Sequence, residues 1–342
     1  MMIFDRTIEH LYARHRLDIG LADLASAALA CIGSRAVGDL AADIEQAWSG
    51  TTGFVCLSAR SGFDALLSAL AYPAGDELAV SAVTHPDMIR IIEAHGLRAV
   101  PIDLDLASLA PPLDLLERAL SPRTRAVMVV HLFGGRVDLG PIADRLARTG
   151  ILLIEDCAQS LRGPRDTGDP RSDVALFSFG MIKTATALGG ALVRCTDPDL
   201  QARVRAVESR WPVQSRFTFA RKVATATLLH VAAAPPVFAA LVAALSVARR
   251  DPDAVLSGSV RGFPSDPVRF FRRIRQRPSR PLLGLLHRRL RRFDGARLAR
   301  RAAIGERLAK AIAPPLEQPG RTAADRTHWL FPVVAPAPAP TS

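Results

Sequence analysis

The feature that most constrains the fold is the regular alternation, between about residues 54 and 200, of short apolar runs with amphipathic segments. The amphipathic segments predict helices over 62–71, 85–95, 113–120 and 141–149. The apolar runs predict strands over 77–81, 98–102, 126–131, 151–155, 174–179 and 191–194. Because strands and helices that alternate at this spacing form parallel crossovers, the sequence predicts an α/β fold whose sheet is covered by helices on both faces.

Ligands bind at the carboxyl ends of the strands in such sheets, so polar residues just past a strand are the first candidates for a functional site. The predicted strand 151–155 ends in Glu155 and is followed by Asp156. An aspartate at this edge can hold a ring nitrogen protonated, as a pyridoxal cofactor requires. The alternative is that Asp156 only caps the next helix, which is a common use of aspartate.

Lys183 is the only charged side chain between Asp173 and Arg194. The burial of a lone ammonium group is costly unless the group is paired or neutralised. Lysine, unlike arginine, can lose its proton in such surroundings and then attack an aldehyde. Lys183 is therefore a candidate nucleophile, and the alternative is a lysine in an exposed loop between two strands.

Two serines could hold a phosphate near this lysine. Ser178 precedes Lys183 by five residues, and Arg60-Ser61-Gly62 is predicted to open a helix and to offer backbone amides that could bind an anion. The alternatives are an ordinary helix cap for Ser61 and a hydroxyl at a strand end for Ser178.

Six short motifs follow one another between residues 55 and 195. They are Ser61-Gly62, Gly75-Asp76-Glu77, Val130-His131-Leu132-Phe133-Gly134, Glu155-Asp156-Cys157-Ala158-Gln159, Ser178-Phe179 with Lys183, and Gly189-Gly190. In these motifs, and in their order, the chain resembles the DegT/DnrJ/EryC1/StrS family of sugar aminotransferases. The resemblance implies fold type I of the pyridoxal-phosphate (PLP)-dependent transferases. That fold has a large domain with a mostly parallel sheet flanked by helices, and a small C-terminal domain, which is expected to be incomplete here.

The resemblance also implies the cofactor pyridoxal 5′-phosphate and a two-step transfer of an amino group. Glutamate would give the amino group, and a keto or aldehyde acceptor, such as a sugar linked to a nucleotide or a lipid, would receive it. Lys183 would carry the cofactor as a Schiff base and later move a proton. Some relatives replace the lysine and dehydrate their substrate, so the presence of Lys183 favours amino transfer. A PLP-dependent dehydratase or lyase, or a catalytically impaired relative, remains open.

The residues implied to hold the cofactor are Lys183, Asp156, Gln159, Ser178, Ser61, Gly62 and His85. Asp156 would pair with the pyridine nitrogen, and Gln159 would approach the ring or its 3′ oxygen. His85 would stack on the ring, although a solvated loop imidazole is an equal alternative. His131 is expected to have a supporting role, and no metal is expected.

Three departures from the family pattern are expected, and the third is the incomplete small domain. Phe63 stands where relatives usually have threonine, and the Asn-x-Arg loop that relatives send into the partner's site is not evident after residue 200. Residues 328–333 resemble the first strand of the small domain. The expected organisation is an N-terminal helical segment (1–50), a large domain (51–205), a helical, apolar and Arg-rich region (206–310), and the start of the small domain with a disordered tail (311–342).

The second half of the chain is strongly basic. Residues 1–200 contain 18 basic and 25 acidic side chains, whereas residues 201–342 contain 26 basic and 8 acidic ones. Residues 223–248 carry no charge, and three interpretations of them remain open: a buried or interfacial helical hairpin broken at Pro235-Pro236, a membrane-docking surface, or a membrane span. The basic amphipathic stretch 269–293 would assist docking on a membrane.

The remaining features bear on compartment and partners. The four cysteines, Cys31, Cys56, Cys157 and Cys195, are scattered, so neither a disulfide framework nor a zinc site is expected. The charged N-terminus lacks the apolar core of a signal peptide, so a cytoplasmic protein is expected, with membrane association left open. No nucleic-acid-binding module is recognised, and the family resemblance implies a homodimer.

Overall fold

The computed structural model describes residue 13 and residues 16–33, 37–50, 52–247 and 266–336. The strands are β1 (Gly53–Cys56), β2 (Glu77–Ser81), β3 (Arg98–Ile102), β4 (Thr124–Val130), β5 (Leu152–Asp156), β6 (Val174–Ser178) and β7 (Ala191–Cys195). The helices up to the end of the sheet are α1 (Leu21–Ile32), α2 (Val37–Ser49), α3 (Ala59–Leu70), α4 (Pro86–Ala94), α5 (Leu113–Ala119) and α6 (Gly140–Leu146). Those that follow are α7 (Pro198–Ser209), α8 (Arg216–Ala232), α9 (Pro235–Val247), α10 (Pro267–Ile274), α11 (Arg280–Arg291) and α12 (Gly295–Ala311).

The described strands form one sheet in the order β1-β7-β6-β5-β4-β2-β3. The five strands β2 to β6 pair in parallel, so the predicted mostly parallel sheet is confirmed. β7 runs antiparallel to both β6 and β1, and here the prediction of parallel crossovers is wrong. The reason is that residues 179–190, which join β6 to β7, contain no helix that could carry the chain back across the sheet.

Helices cover both faces of this sheet. One face packs against α3, α4, α7 and α10, and the other packs against α1, α2, α8 and α11, with α5 and α6 beside them. Successive residues of a strand point to opposite faces, so Ile154 of β5 joins the first core and Leu153 joins the second. Both faces of the central strands are therefore shielded from solvent. Polar side chains on these strands need hydrogen-bond partners inside the protein.

Several predicted boundaries differ from the structure. The helix expected from residue 62 begins at Ala59, because the side chain of Ser58 caps it by accepting a hydrogen bond from the Ser61 amide. In the N-terminal segment only α1 and α2 are helical within the described residues, and residues 1–12 lie outside them. The predicted domain boundary at residue 205 falls inside α7.

The uncharged segment forms α9 and most of α8, and these two helices meet at an angle of 88°. The break expected at Pro235-Pro236 is present, because α8 ends at Ala232 and α9 begins at Pro235, but a right-angle bend is not the antiparallel arrangement of a hairpin. Phe238 is the buried residue of α9. No single described helix is long and apolar enough to cross a membrane; α8 and α9 satisfy the length and composition criteria only as a bent pair. Residue 248 lies outside the described residues.

The segment after α12 runs back to the loop that follows β4. Arg136 and Ala324 exchange two backbone hydrogen bonds, the Thr327 amide donates to the Gly134 carbonyl, and the Leu330 amide donates to the Phe133 carbonyl. Residues 328–333 form turns and loop rather than the expected strand. The expectation is wrong because their backbone bonds to a loop instead of to a neighbouring strand.

Candidate active site

Three adjacent parallel strands end at one edge of the sheet and bring the predicted site residues there. Asp156, the last residue of β5, lies opposite Val130 of β4 and Leu176 of β6. Ser178 ends β6 two residues further on. Asp156 is buried, and its Oδ1 accepts a hydrogen bond of 2.9 Å from the backbone amide of Ala158. The parallel sheet thus places a carboxylate and a hydroxyl at the edge where α/β proteins bind ligands.

Lys183 lies in the turn that follows β6. Its amide donates to the Gly180 carbonyl at 3.0 Å, and the end of the loop is held by a hydrogen bond of 2.8 Å from the Gly190 amide to the Leu57 carbonyl. A Cβ atom placed on Gly180 would lie 3.5 Å from the Ser178 hydroxyl oxygen and 3.8 Å from Cγ of Lys183. The structure therefore brings the Ser178 hydroxyl and the Lys183 side chain close to the same point beside Gly180.

The charges of Lys183 and Asp156 shift each other's pKa, so the two side chains lie close enough to share one site. Burial lowers the pKa of the Lys183 amine to about 8, although the charge of Asp156 opposes this. Burial also raises the pKa of Asp156, despite the hydrogen bond from Ala158 and the charge of Lys183. An amine with this pKa is partly deprotonated at neutral pH, so it can serve as a nucleophile or a base.

The beginning of α3 differs in detail from the predicted phosphate site. The Ser61 amide donates to the Ser58 hydroxyl at 3.1 Å, and the Gly62 amide donates to the Ser58 carbonyl at 3.0 Å. Ser61 is fully buried. Two of the three amides predicted to bind an anion are thus already engaged, because the helix starts earlier than expected. The positive end of the α3 dipole, where a helix favours an anion, lies at its first residue, Ala59.

His85 lies at the mouth of the same site. Its Nδ1 accepts a hydrogen bond of 3.1 Å from the Asp87 amide and so caps α4, and its Nε2 lies 2.9 Å from the Arg60 guanidinium. Partial burial and the charge of Arg60 lower the pKa of His85 to about 4, and the charge of Lys183 contributes in the same direction. The imidazole is therefore neutral at neutral pH.

Gln159 connects two loops at the edge of the sheet. Its Oε1 accepts a hydrogen bond of 2.9 Å from the Phe133 amide. Phe133 and Gly134 both have a positive φ, 57° and 96°, so the loop after β4 turns sharply at this point. Gln159 thus holds in place the loop to which residues 324–330 bond.

A buried polar network lies behind Asp156. Glu155 is fully buried and accepts hydrogen bonds from His131 Nε2 at 2.9 Å, from Arg136 at 3.1 Å and from the Ser172 hydroxyl at 2.7 Å. Burial opposes its ionisation, but these donors and charges prevail and lower the pKa of Glu155 to about 2. His131 Nδ1 accepts from the Val137 amide at 3.0 Å, so the neutral ring carries its proton on Nε2.

Trp329 lies beside the Lys183 amine, and sequence reasoning missed it. The Lys183 Nζ atom lies 4.3 Å from the centre of the Trp329 ring, and the indole N–H donates to the Ile182 carbonyl at 3.1 Å. Nothing local in the sequence marks Trp329, because the contact joins segments about 147 residues apart. The sequence reasoning considered the Arg60 backbone amide but missed the Arg60 side chain, whose guanidinium lies 2.9 Å from His85 Nε2.

The sequence matches known proteins in the region that builds this site. A model of the DegT/DnrJ/EryC1/StrS aminotransferase family matches residues 33–228. The erythromycin biosynthesis sensory transduction protein EryC1 of Saccharopolyspora erythraea is 37% identical over 159 residues. That match covers 44% of this chain and 43% of the relative, so the chain aligns with less than half of that protein's length.

Solved structures with a similar fold include aminotransferases and a dehydratase. The aminotransferase TlmJ of Streptoalloteichus hindustanus has a TM-score of 0.66 at 20% identity, covering 94% of this chain and 78% of its own. The sugar aminotransferase CalS13 of Micromonospora echinospora has a TM-score of 0.63 at 21% identity, covering 96% and 81%. An E. coli GDP-4-keto-6-deoxy-D-mannose-3-dehydratase with bound hydrated PLP has a TM-score of 0.65 at 14% identity, covering 97% and 81%.

These similarities confirm the predicted fold class, an α/β PLP-dependent transferase fold with a mostly parallel sheet. The predicted cofactor, pyridoxal 5′-phosphate, is also confirmed as that of the family. The family match spans more than half of the chain and includes every residue predicted for the site. The chain therefore belongs to the DegT/DnrJ/EryC1/StrS aminotransferase family.

Proposed function

We propose that this protein is a PLP-dependent aminotransferase that moves an amino group from glutamate to a keto or aldehyde acceptor, a sugar linked to a nucleotide or a lipid. The observation that carries the proposal is the half-buried amine of Lys183, whose pKa is about 8, within electrostatic range of the buried carboxylate of Asp156. Amino transfer needs an amine that can lose and regain a proton near neutral pH. It also needs a carboxylate beside the nitrogen of the cofactor ring.

The side chains at the sheet edge fit the cofactor. Lys183 supplies an amine for the aldehyde, Asp156 a carboxylate for the ring nitrogen, and Ser178 a hydroxyl for the phosphate. The first-turn amides of α3 supply the positive end of a helix dipole at the same edge. When bound, pyridoxal 5′-phosphate supplies an electron sink for the carbon that gives or receives nitrogen.

The protein's own groups would handle protons and charge. Asp156 would stay ionised next to a protonated ring nitrogen and keep that nitrogen charged. Lys183 would accept a proton from the substrate carbon and return it to a neighbouring atom. An amine whose pKa is near neutrality is suited to both steps. Neutral His85 would cover the ring, and Gln159 would present its amide N–H groups to the ring oxygen, because its oxygen is already bonded to the Phe133 amide.

The first test is an absorbance spectrum of the purified protein, with and without borohydride, for wild type, Lys183→Ala and Lys310→Ala. We expect wild type and the Lys310→Ala control, whose lysine is exposed, to carry a borohydride-fixed cofactor on a single peptide. Lys183→Ala should carry none. A cofactor fixed to another residue, or a protein that takes up no cofactor, would refute the proposal.

The second test distinguishes amino transfer from dehydration. Addition of glutamate should convert the bound cofactor to its amine form, and a keto acid should reverse the change. The similar fold of the E. coli dehydratase favours a dehydratase as the second candidate. That candidate predicts release of water from the sugar without net transfer of nitrogen from glutamate to product, which a ¹⁵N-glutamate experiment detects directly.

A further inference from the structure

The Trp329 indole lies against the amine that the proposed reaction uses. Its ring centre is 4.3 Å from Lys183 Nζ, within the range of a cation–π contact, and its N–H group donates to the carbonyl of Ile182. The indole is therefore bonded at one end to the backbone next to Lys183 while its face covers the amine. An aromatic ring in this position leaves less room for water at the nitrogen.

Several hydrogen bonds fix the backbone on either side of this tryptophan. The Thr327 amide and hydroxyl both donate to the Gly134 carbonyl, at 2.8 and 3.0 Å, and the Leu330 amide donates to the Phe133 carbonyl at 3.3 Å. A Cβ on Gly134 would lie 2.5 Å from the Trp329 backbone nitrogen, so this close approach requires glycine. The glycine of the Val-His-Leu-Phe-Gly motif thus allows residues 327–330 to lie against the loop.

α12 adds a further constraint from the other side. The Arg301 guanidinium donates to the Thr327 carbonyl at 2.8 Å and to the Thr184 hydroxyl at 3.2 Å. One side chain therefore joins the segment that carries Trp329 to the residue that follows Lys183. The position of the indole over the amine is determined by contacts from three separate parts of the chain.

We propose that Trp329 is a positioning residue for Lys183, which excludes water from the amine and fixes its place at the site. This role rests on the proposed function only in making Lys183 the reacting amine. Two effects of the indole oppose each other. Exclusion of water favours the neutral amine, whereas the ring face favours the ammonium. Burial by the surrounding protein is the largest perturbation of the Lys183 pKa, and we infer that the indole acts on this pKa more through exclusion of water than through its ring face.

The small number of lysines makes a direct test practicable on the protein without cofactor. Reductive methylation with ¹³C-formaldehyde labels Lys183, Lys222, Lys310 and the amino terminus, and each signal can be titrated by NMR. Lysine variants assign the signals, and exposed Lys310 serves as an internal reference. The variants to compare are Trp329→Ala, Trp329→Leu and, as a matched control on the same segment, Val333→Ala, whose side chain is exposed.

In wild type we expect the Lys183 methyl signals to be shifted upfield by the indole ring current and to titrate near pH 8. Trp329→Ala should abolish the ring-current shift and raise the Lys183 pKa by about one unit, because water then reaches the amine. Trp329→Leu should abolish the shift but keep the low pKa, because leucine still excludes water. Val333→Ala should change neither.

Three results would overturn the inference: no ring-current shift in wild type, an unchanged Lys183 pKa in Trp329→Ala, or the same increase in Trp329→Leu as in Trp329→Ala. If the alanine variant does not fold, the wild-type shift and the leucine variant still decide. The measurement uses no cofactor, so its outcome is independent of the absorbance test of the proposed function.

Discussion

Replacement of Glu155 by glutamine tests whether the network behind Asp156 stabilises the fold through charge. Glutamine keeps the shape of the side chain but removes one of the two carboxylates that pair with Arg136, the other being Asp166, while the Ser172 hydroxyl can still donate. The pKa of Glu155 falls from 4.5 to about 2 in the folded protein, which corresponds to about 3 kcal/mol of stability at neutral pH. Because the folded pKa is the lower one, this contribution is complete above pH 4.5 and is lost as the pH falls toward 2.

The measurement is urea unfolding followed by circular dichroism at several pH values between 7 and 3, for wild type, Glu155→Gln and Glu117→Gln. Glu117 is a matched control, because it pairs with Arg145 at 2.7 Å but is 52% exposed. Screening by water should limit the control to below about 1 kcal/mol. Glu155→Gln should lose about 3 kcal/mol at pH 7, and the loss should shrink as the pH falls below 4.5. If Glu155→Gln costs no more than the control, or if its cost does not depend on pH, the charge argument is wrong.

Three further predictions concern the site. Gly134→Ala should displace residues 327–330 and abolish the ring-current shift of Lys183. The alanine Cβ would contact the Trp329 backbone, and the φ of 96° at Gly134 is unfavourable for alanine. An unchanged NMR signal of Lys183 would contradict this prediction. Ser58→Ala should reduce the free energy of unfolding by about 1 kcal/mol through loss of the α3 cap, and urea unfolding with no change would count against that role. Asp156→Asn should still bind the cofactor covalently, but its conversion by glutamate, followed by stopped-flow absorbance, should slow on the order of 100-fold; a wild-type rate would exclude Asp156 as the partner of the ring nitrogen.

The central strands could be predicted from the sequence because both of their faces are buried. A short, continuous apolar run such as the one in β5 is typical of a strand that is buried on both faces. The predicted limits of these strands agree with the structure to within two residues. β1 is harder to recognise, because Gly53–Cys56 is short and begins with glycine. The antiparallel direction of β7 was predictable in principle from the connection of β6 to β7, which lacks a helix.

The helix start at Ala59 shows how a motif can mislead about local structure. The Ser61-Gly62 pair matches the family, but the hydroxyl of Ser58 reaches the Ser61 amide and starts the helix one turn earlier. Serine is an equally good cap at either position, so the local sequence does not choose between them. Which serine caps the helix depends on where β1 ends, because β1 leads directly into this turn. The place of β1 is set by its pairing in the sheet, so the local sequence does not determine it.

The contact between Trp329 and Lys183 illustrates what the sequence could not provide. It depends on a loop with two consecutive positive φ angles at Phe133 and Gly134, and on backbone hydrogen bonds between distant segments. Neither periodicity nor composition encodes such pairings. The resemblance to a family drew attention to Gly134 as part of a motif, but its physical purpose, a close approach to the Trp329 backbone, required coordinates.

Glu155 and Asp156 show how adjacent carboxylates in one strand acquire opposite properties. Both are buried, and because successive residues of a strand point to opposite faces, they meet different neighbours. Glu155 meets several donors, so its pKa falls, whereas burial dominates at Asp156 and its pKa rises. A protonated ring nitrogen beside Asp156 would lower that pKa again, so cofactor and carboxylate would stabilise each other's charged forms. Ionised Glu155 thus ties the end of β5 to the donors around it, and buried Asp156 could stabilise a cation placed beside it. We therefore expect Glu155 to serve structure, whereas the proposed function assigns the chemistry to Asp156.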